Sequence, residues 1–167
     1  MGFSKKEWIA IDSYVAPLGA RTWDGRSAHI EAAIKQARKY LGKPYIVGAS
    51  SSPAYGNDCS GLVMQSLYAG GLNLNPVVSS IHHAYPGNEW NSKQLWATSK
   101  LRYIPAGQRQ RGDLIFFYSR GSRSIDHVGI YLGNNQMVES WPDHVQQGSI
   151  YAHSAWATIA GYKRAFN

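Results

Sequence analysis

Apolar and polar positions along this chain follow two regimes, helical spacing before the Gly70-Gly71 pair and two-residue alternation after Arg111. In SAHIEAAIKQARKYLGKPY, starting at Ser27, residues Ile30, Ala33, Ile34, Ala37 and Leu41 recur at helical spacing. Lys35, Arg38 and Lys39 fall on the opposite side, which predicts an amphipathic helix. Ser27 is the expected cap, and Gly42 with Pro44 the expected stop. A small-residue loop, IVGASSSPAYGND, leads to CSGLVMQSLYAGG, a second predicted helix with Asp58 at its N-cap. Residues 72 to 111 are weakly patterned and predict long loops with a short helix near 79 to 85. Five strands are then expected: DLIFFY, HVGIYLG, QMVESW, a weaker SIYA, and IAGYKRAF. Helices first and strands afterwards imply an α+β fold with the helices on one antiparallel sheet. Residues 1–25 lack periodicity and read as a lead-in to one domain over 26–167.

The strand phase makes one finer expectation. Val128, Ile130 and Leu132 share an apolar face, leaving His127, Gly129 and Tyr131 on the other. Across the Gly133-Asn134-Asn135 turn, Val138 joins the apolar face, so Met137, Glu139 and Trp141 join the face of His127. This holds only if the turn keeps parity, because a one-residue slip would send Glu139 into the core. An unpaired carboxylate there would be costly.

Composition narrows the possibilities. With 167 residues, 44% of them apolar, the chain can bury the core of one compact domain. Lys and Arg outnumber Asp and Glu by 17 to 10, a net charge of +7 that suits nucleic acid, an acidic membrane surface or bacterial wall polymers. The basic residues are scattered, with no run longer than two and no nucleic-acid module signature, so nucleic acid is not expected as a partner. No stretch approaches the roughly 20 apolar residues of a membrane span, so stable membrane insertion is not expected either. The N-terminal apolar run is broken by Asp12 and Pro17 and does not read as a signal peptide. A single cysteine excludes an internal disulfide and a thiolate zinc cluster. His82 and His83 are adjacent, so their side chains diverge, and no HExxH spacing exists; neither metal nor cofactor is expected.

The lone cysteine is where the chemistry concentrates. A single Cys commonly serves as a small buried hydrophobe. Cys59, however, falls in the first turn of a predicted helix, where the macrodipole and free N–H groups favour a thiolate. Those N–H groups can also hold the oxyanion formed when a thiolate attacks a carbonyl. Such a nucleophile needs a base and a group to orient it, and His127 with Glu139 supply both. Asp113 and Asp126 open strands, and Asp58 reads as a cap. Trp90, Trp96, Trp141 and Trp156 read first as core, with a sugar-stacking surface as the alternative.

Four segments, LGKPYIVG at 41–48, DCSGLV at 58–63, GDLIFF at 112–117 and DHVGIYLG at 126–133, resemble in order and spacing the NlpC-type family of papain-like cell-wall cysteine peptidases. The resemblance runs over roughly residues 27 to 165. It implies a papain-like core, with N-terminal helices packed on a central antiparallel sheet of about five to six strands. The implied chemistry is hydrolysis of the bond between γ-D-glutamate and the diamino acid of peptidoglycan stems. Carried over by position, Cys59 is the nucleophile, His127 the base and Glu139 the third residue, where many relatives have a second histidine, and the motifs of Asp113 and Asp126 imply structural roles for both. Tyr45, Asp58, Ser60, Ser79 and Ser80 are the candidates for substrate binding or the oxyanion site. The stretch NPVVSSIHH at 75–83 lacks the acidic residue by which some relatives hold the free amine of L-Ala. The expectation is therefore an endopeptidase that accepts stems still attached to glycan. It is expected to be a monomer whose partner is bacterial peptidoglycan, working outside the cell or in the wall. Two rival readings are an amidase of the CHAP type, cutting between muramic acid and L-Ala, and a catalytically silent wall-binding domain.

Overall fold

Ile30, Ala33, Ile34 and Ala37 line the buried side of helix α1 (Arg26–Arg38). The computed structural model describes residues 14–74 and 90–167. Its first helix begins one residue before Ser27 and has Gly25, not Ser27, at its N-cap, with no side-chain cap bond. It also stops short of Leu41, which is exposed. The chain continues in tight turns, with Tyr40 N–H donating to Ala37 and Lys43 N–H to Tyr40. Tyr40 thereby takes the core place expected of Leu41, because leaving the helix early rotates the next buried position by one residue.

Helix α2 (Cys59–Ala69) is buried all round. Asp58 caps it, accepting from Gly61 N–H at 2.7 Å, while its other carboxylate oxygen accepts from Gly48 N–H at 2.9 Å. One side chain thus ties the 43–58 loop to the helix start. Gly61 is required by close approach: a Cβ there would lie 2.0 Å from the Ala49 carbonyl oxygen. From the far side of α2, Gln65 accepts from Ala16 N–H, and Ala69 accepts from Gly19 N–H, pinning residues 16–19 onto the helical layer. Helix α3 (Ser92–Ala97), not foreseen, is closed by a capping box between Asn91 and Gln94. The short helix expected near 79 to 85 lies outside the described residues.

The strands are β1 (Arg102–Ile104), β2 (Leu114–Ser119), β3 (Ile125–Gly133), β4 (Gln136–Ser140), β5 (Val145–Ser149) and β6 (Ala157–Arg164). They form one antiparallel sheet in the order β1-β6-β2-β3-β4-β5, so the fold is α+β as expected. Ile34, Leu62, Leu67, Leu114, Phe116, Val128, Ile130 and Val138 fill the space between helices and sheet. Each such side chain contributes about 1.5–3 kcal/mol of burial. A smaller cluster of Ile115, Phe117, Tyr131, Met137 and Tyr162 covers the other face.

One strand expectation is corrected. The fifth strand is VQQGS at 145–149, and most of SIYA lies in the turns that follow. VQQGS is a half-exposed edge strand, so apolar alternation never marks it. The three-residue edge strand β1 was equally invisible.

Candidate active site

The cysteine lies at the head of α2, only 5% exposed, against the start of β3. Its sulfur accepts the backbone N–H of Val128, which belongs to the peptide joining His127 to Val128, and also faces the N–H groups of Ser60 and of Cys59 itself. These contacts draw the thiol toward its anion, but burial outweighs them, and the adjacent Asp58 carboxylate adds to the same upward push. The thiol is pushed up to about 12. The N–H groups at the helix end pull toward the thiolate as expected, and desolvation outweighs them. Deprotonation of Cys59 therefore depends on a neighbouring base.

The parity expected of the β3–β4 turn is kept. Ile130 stands opposite Val138 and Tyr131 opposite Met137, with an irregularity next to the turn. Asn134 and Asn135 both have positive φ, 51° and 59°, which builds a two-residue hairpin turn whose twist matches the strands. Gly129 shares the face of His127 and lies against Glu139: a Cβ on it would be 3.4 Å from the Glu139 Cβ. With no side chain at Gly129, the Glu139 carboxylate reaches diagonally to His127.

His127 Nε2 and Glu139 Oε2 are 2.6 Å apart, and both residues are 2% exposed. A carboxylate acceptor holds the imidazole with its proton on Nε2. The other nitrogen, Nδ1, is buried and makes no hydrogen bond. It is thus the basic atom, unengaged within the protein, on a residue whose neighbouring peptide touches the Cys59 sulfur.

Sequence reasoning missed the next residue. His153, buried in the turn between β5 and β6, binds the second carboxylate oxygen of Glu139 through Nε2. Glu139 therefore bridges two imidazoles. Trp141 packs edge-on against His153, with centroids 4.5 Å apart, and lies tilted 5.1 Å from the His127 ring. Trp156 stacks on His153 at 5.9 Å and 23° and meets Trp141 edge-on, with centroids 5.8 Å apart. The two indoles thus pack against the histidines of the buried pairings.

The remaining candidates separate clearly. Tyr45 is half-buried and close enough to Cys59, Asp58 and Asp126 to feel all three, and burial first, then those charges, push its hydroxyl upward, so it stays a neutral donor. Ser60 is buried and donates to Asp58 at 3.2 Å. Both Ser60 and Asp58 are thus engaged in building the helix start. Ser79 and Ser80, with His82 and His83, lie outside the described residues. Among the described residues no group of His, Cys, Asp and Glu is arranged to hold a metal.

Of the two aspartates read as structural, Asp113 fits: it is fully buried and held bidentately by Arg164 at 2.7 and 2.8 Å. Asp126 accepts from the Ser119 hydroxyl, and it is exposed and lines a cleft beside His127. The tryptophans divide as well. Trp90 and Trp96 pack on the core, whereas Trp141 and Trp156 wall that cleft, with Trp156 52% exposed.

A buried cysteine at a helix head, set against a histidine–carboxylate pair on an antiparallel sheet, defines a papain-like architecture. The profile of the NlpC/P60 family matches residues 42–163, more than half of the chain, and the chain belongs to that family. It is 33% identical over 144 residues to the probable endopeptidase p60 of Listeria grayi, covering 86% of this chain and 24% of that protein. It is 35% identical over 121 residues to the bifunctional muramidase/DL-endopeptidase CwlT of Bacillus subtilis, covering 72% of this chain and 32% of that protein. The chain thus spans about a quarter to a third of the length of these relatives. A crystal structure of an NLP/P60-family protein similar to lipoprotein, from Staphylococcus aureus, superposes with a TM-score of 0.64 at 24% identity over 89% of this chain and 45% of that one. That likeness concerns the fold.

Proposed function

We propose that this chain is a cysteine peptidase that cuts the stem peptides of bacterial peptidoglycan, acting as a monomer outside the cell or in the wall. Cys59 is the nucleophile, His127 Nδ1 takes its proton, and Glu139 fixes the tautomer and stabilises the imidazolium that forms. Attack on the scissile carbonyl gives an acyl-enzyme and releases an amine protonated by His127. Water, deprotonated by the same imidazole, then hydrolyses the thioester. The backbone N–H groups at the head of α2 and the neutral Tyr45 hydroxyl are the donors available to the oxyanion. The observation that carries this reading is the buried His127–Glu139 pair, whose free Nδ1 belongs to the residue adjoining the thiol. His153 is a positioning residue acting through Glu139.

The substrate class rests on family membership and on relatives named as endopeptidases. The bond we assign is γ-D-glutamyl to diamino acid. The test is mass spectrometry of purified peptidoglycan digested by the wild type and by Cys59→Ala. The expected fragments carry a new α-amine on the diamino acid and a free γ-carboxyl on D-glutamate, and they vanish in the variant. A new N-terminal L-Ala would assign the chain to the amidases instead. Wall clearing unchanged by Cys59→Ala would leave only a binding domain. Parallel digestion of intact wall and free stem peptide tests whether glycan-attached stems are accepted, and exclusive cleavage of the free peptide would refute it.

A further inference from the structure

Between β2 and β3 the register slips: Phe117 stands opposite His127, but Tyr118 stands opposite Ile125. Asp126 is the extra residue of this bulge, and bulges re-aim side chains. Its carboxylate lines a cleft of about 370 Å³ formed with Ser119, His127, Trp141, Trp156 and Ala157. The Ser119 hydroxyl donates to one of its oxygens. Among the described residues no lysine or arginine pairs with it, although the chain carries a net charge of +7. An exposed carboxylate in a cleft that two indole rings also line suits one class of ligand. An alkylammonium brings a full charge to the carboxylate and to the ring faces, whereas a neutral amide offers only a weaker N–H donor.

The location says which part of a substrate arrives there. A general acid must lie within hydrogen-bond reach of the leaving nitrogen, so the residue after the scissile bond sits against His127. A cleft that opens from the His127 ring therefore receives that residue's side chain. Resting on the proposed γ-D-glutamyl–diamino acid specificity, we infer that the cleft formed by Asp126, Trp141 and Trp156 recognises the free side-chain ammonium of the diamino acid. The enzyme then favours stems that are not cross-linked through that amine, because cross-linking converts the ammonium into a neutral amide.

The experiment uses three peptides, N-acetyl-L-Ala-γ-D-Glu followed by Lys, Nε-acetyl-Lys or norleucine, the acetyl cap leaving the side amine as the sole cation. The wild type is expected to cleave the lysine peptide with a kcat/KM about five- to tenfold above the other two. Raising the ionic strength should shrink that ratio. Asp126→Asn should bring the ratio to about one, while Asp24→Asn, an exposed carboxylate before α1, keeps it. Equal cleavage of all three by the wild type, or a preference that survives Asp126→Asn, overturns the inference. Failure of the wild type to cleave any of them after D-Glu overturns the underlying peptidase reading instead.

Discussion

Two carboxylates are buried in the same sheet. Asp113, just before β2, takes a two-pronged grip from Arg164 on β6 and a third hydrogen bond from Gln110 N–H at 2.7 Å. Glu139, on β4, takes one nitrogen from each of two imidazoles. A guanidinium does not release its proton in a protein, so the first arrangement is fixed. An imidazole nitrogen can give up a proton and take it back, so the second can follow a reaction. The same burial and the same carboxylate chemistry thus give a clamp in one place and, in the proposed mechanism, a proton-handling group in the other.

Four measurements would break or sharpen this contrast. The largest effect concerns the thiol that the Glu139 side serves. A group raised to about 12 stays protonated at neutral pH and gains reactivity as pH rises. In His127→Ala, alkylation of Cys59 by iodoacetamide should climb about tenfold per pH unit, about 10³-fold between pH 7 and 10. A plateau by pH 8 would mean that the thiolate forms without the base. Next, Glu139→Gln should lower kcat about 10²–10³-fold while the folded fraction holds. Asp113→Asn should do the reverse, costing about 3–5 kcal/mol in denaturant titration by stranding Arg164, with activity per folded molecule kept. If both variants lost activity and stability together, the two carboxylates would not differ in kind. The smallest effect is that of His153→Phe, expected to lower kcat about tenfold at constant KM. His153→Gln, which keeps an N–H donor, should recover most of it, and equal loss in both would assign His153 to packing alone.

Much of this arrangement was legible from periodicity. The spacing of Ile30, Ala33, Ile34 and Ala37 marks α1, and the alternation through Val128, Ile130 and Val138 correctly phases Glu139 with His127. What stayed hidden depends on contacts without a repeating pattern. His153 sits in an irregular turn, and only the return of the chain toward β6 brings it to Glu139. Asp126 is re-aimed by a bulge that two-residue counting cannot register. The net upward push on the thiol stays hidden for an energetic reason: the helix end is a local feature visible in DCSG, but the burial that opposes it comes from the whole fold.

The turn at Asn134 and Asn135 sets a rule for varying this protein, by nature or by design. Because that hairpin meshes β3 with β4 like two gear wheels, lengthening it by two residues advances the strands by one full tooth and returns Glu139 to the same face. Lengthening it by one turns the carboxylate to the other side, unless the neighbouring irregularity absorbs the extra residue. Length changes at this hairpin are thus filtered by their parity before their chemistry matters.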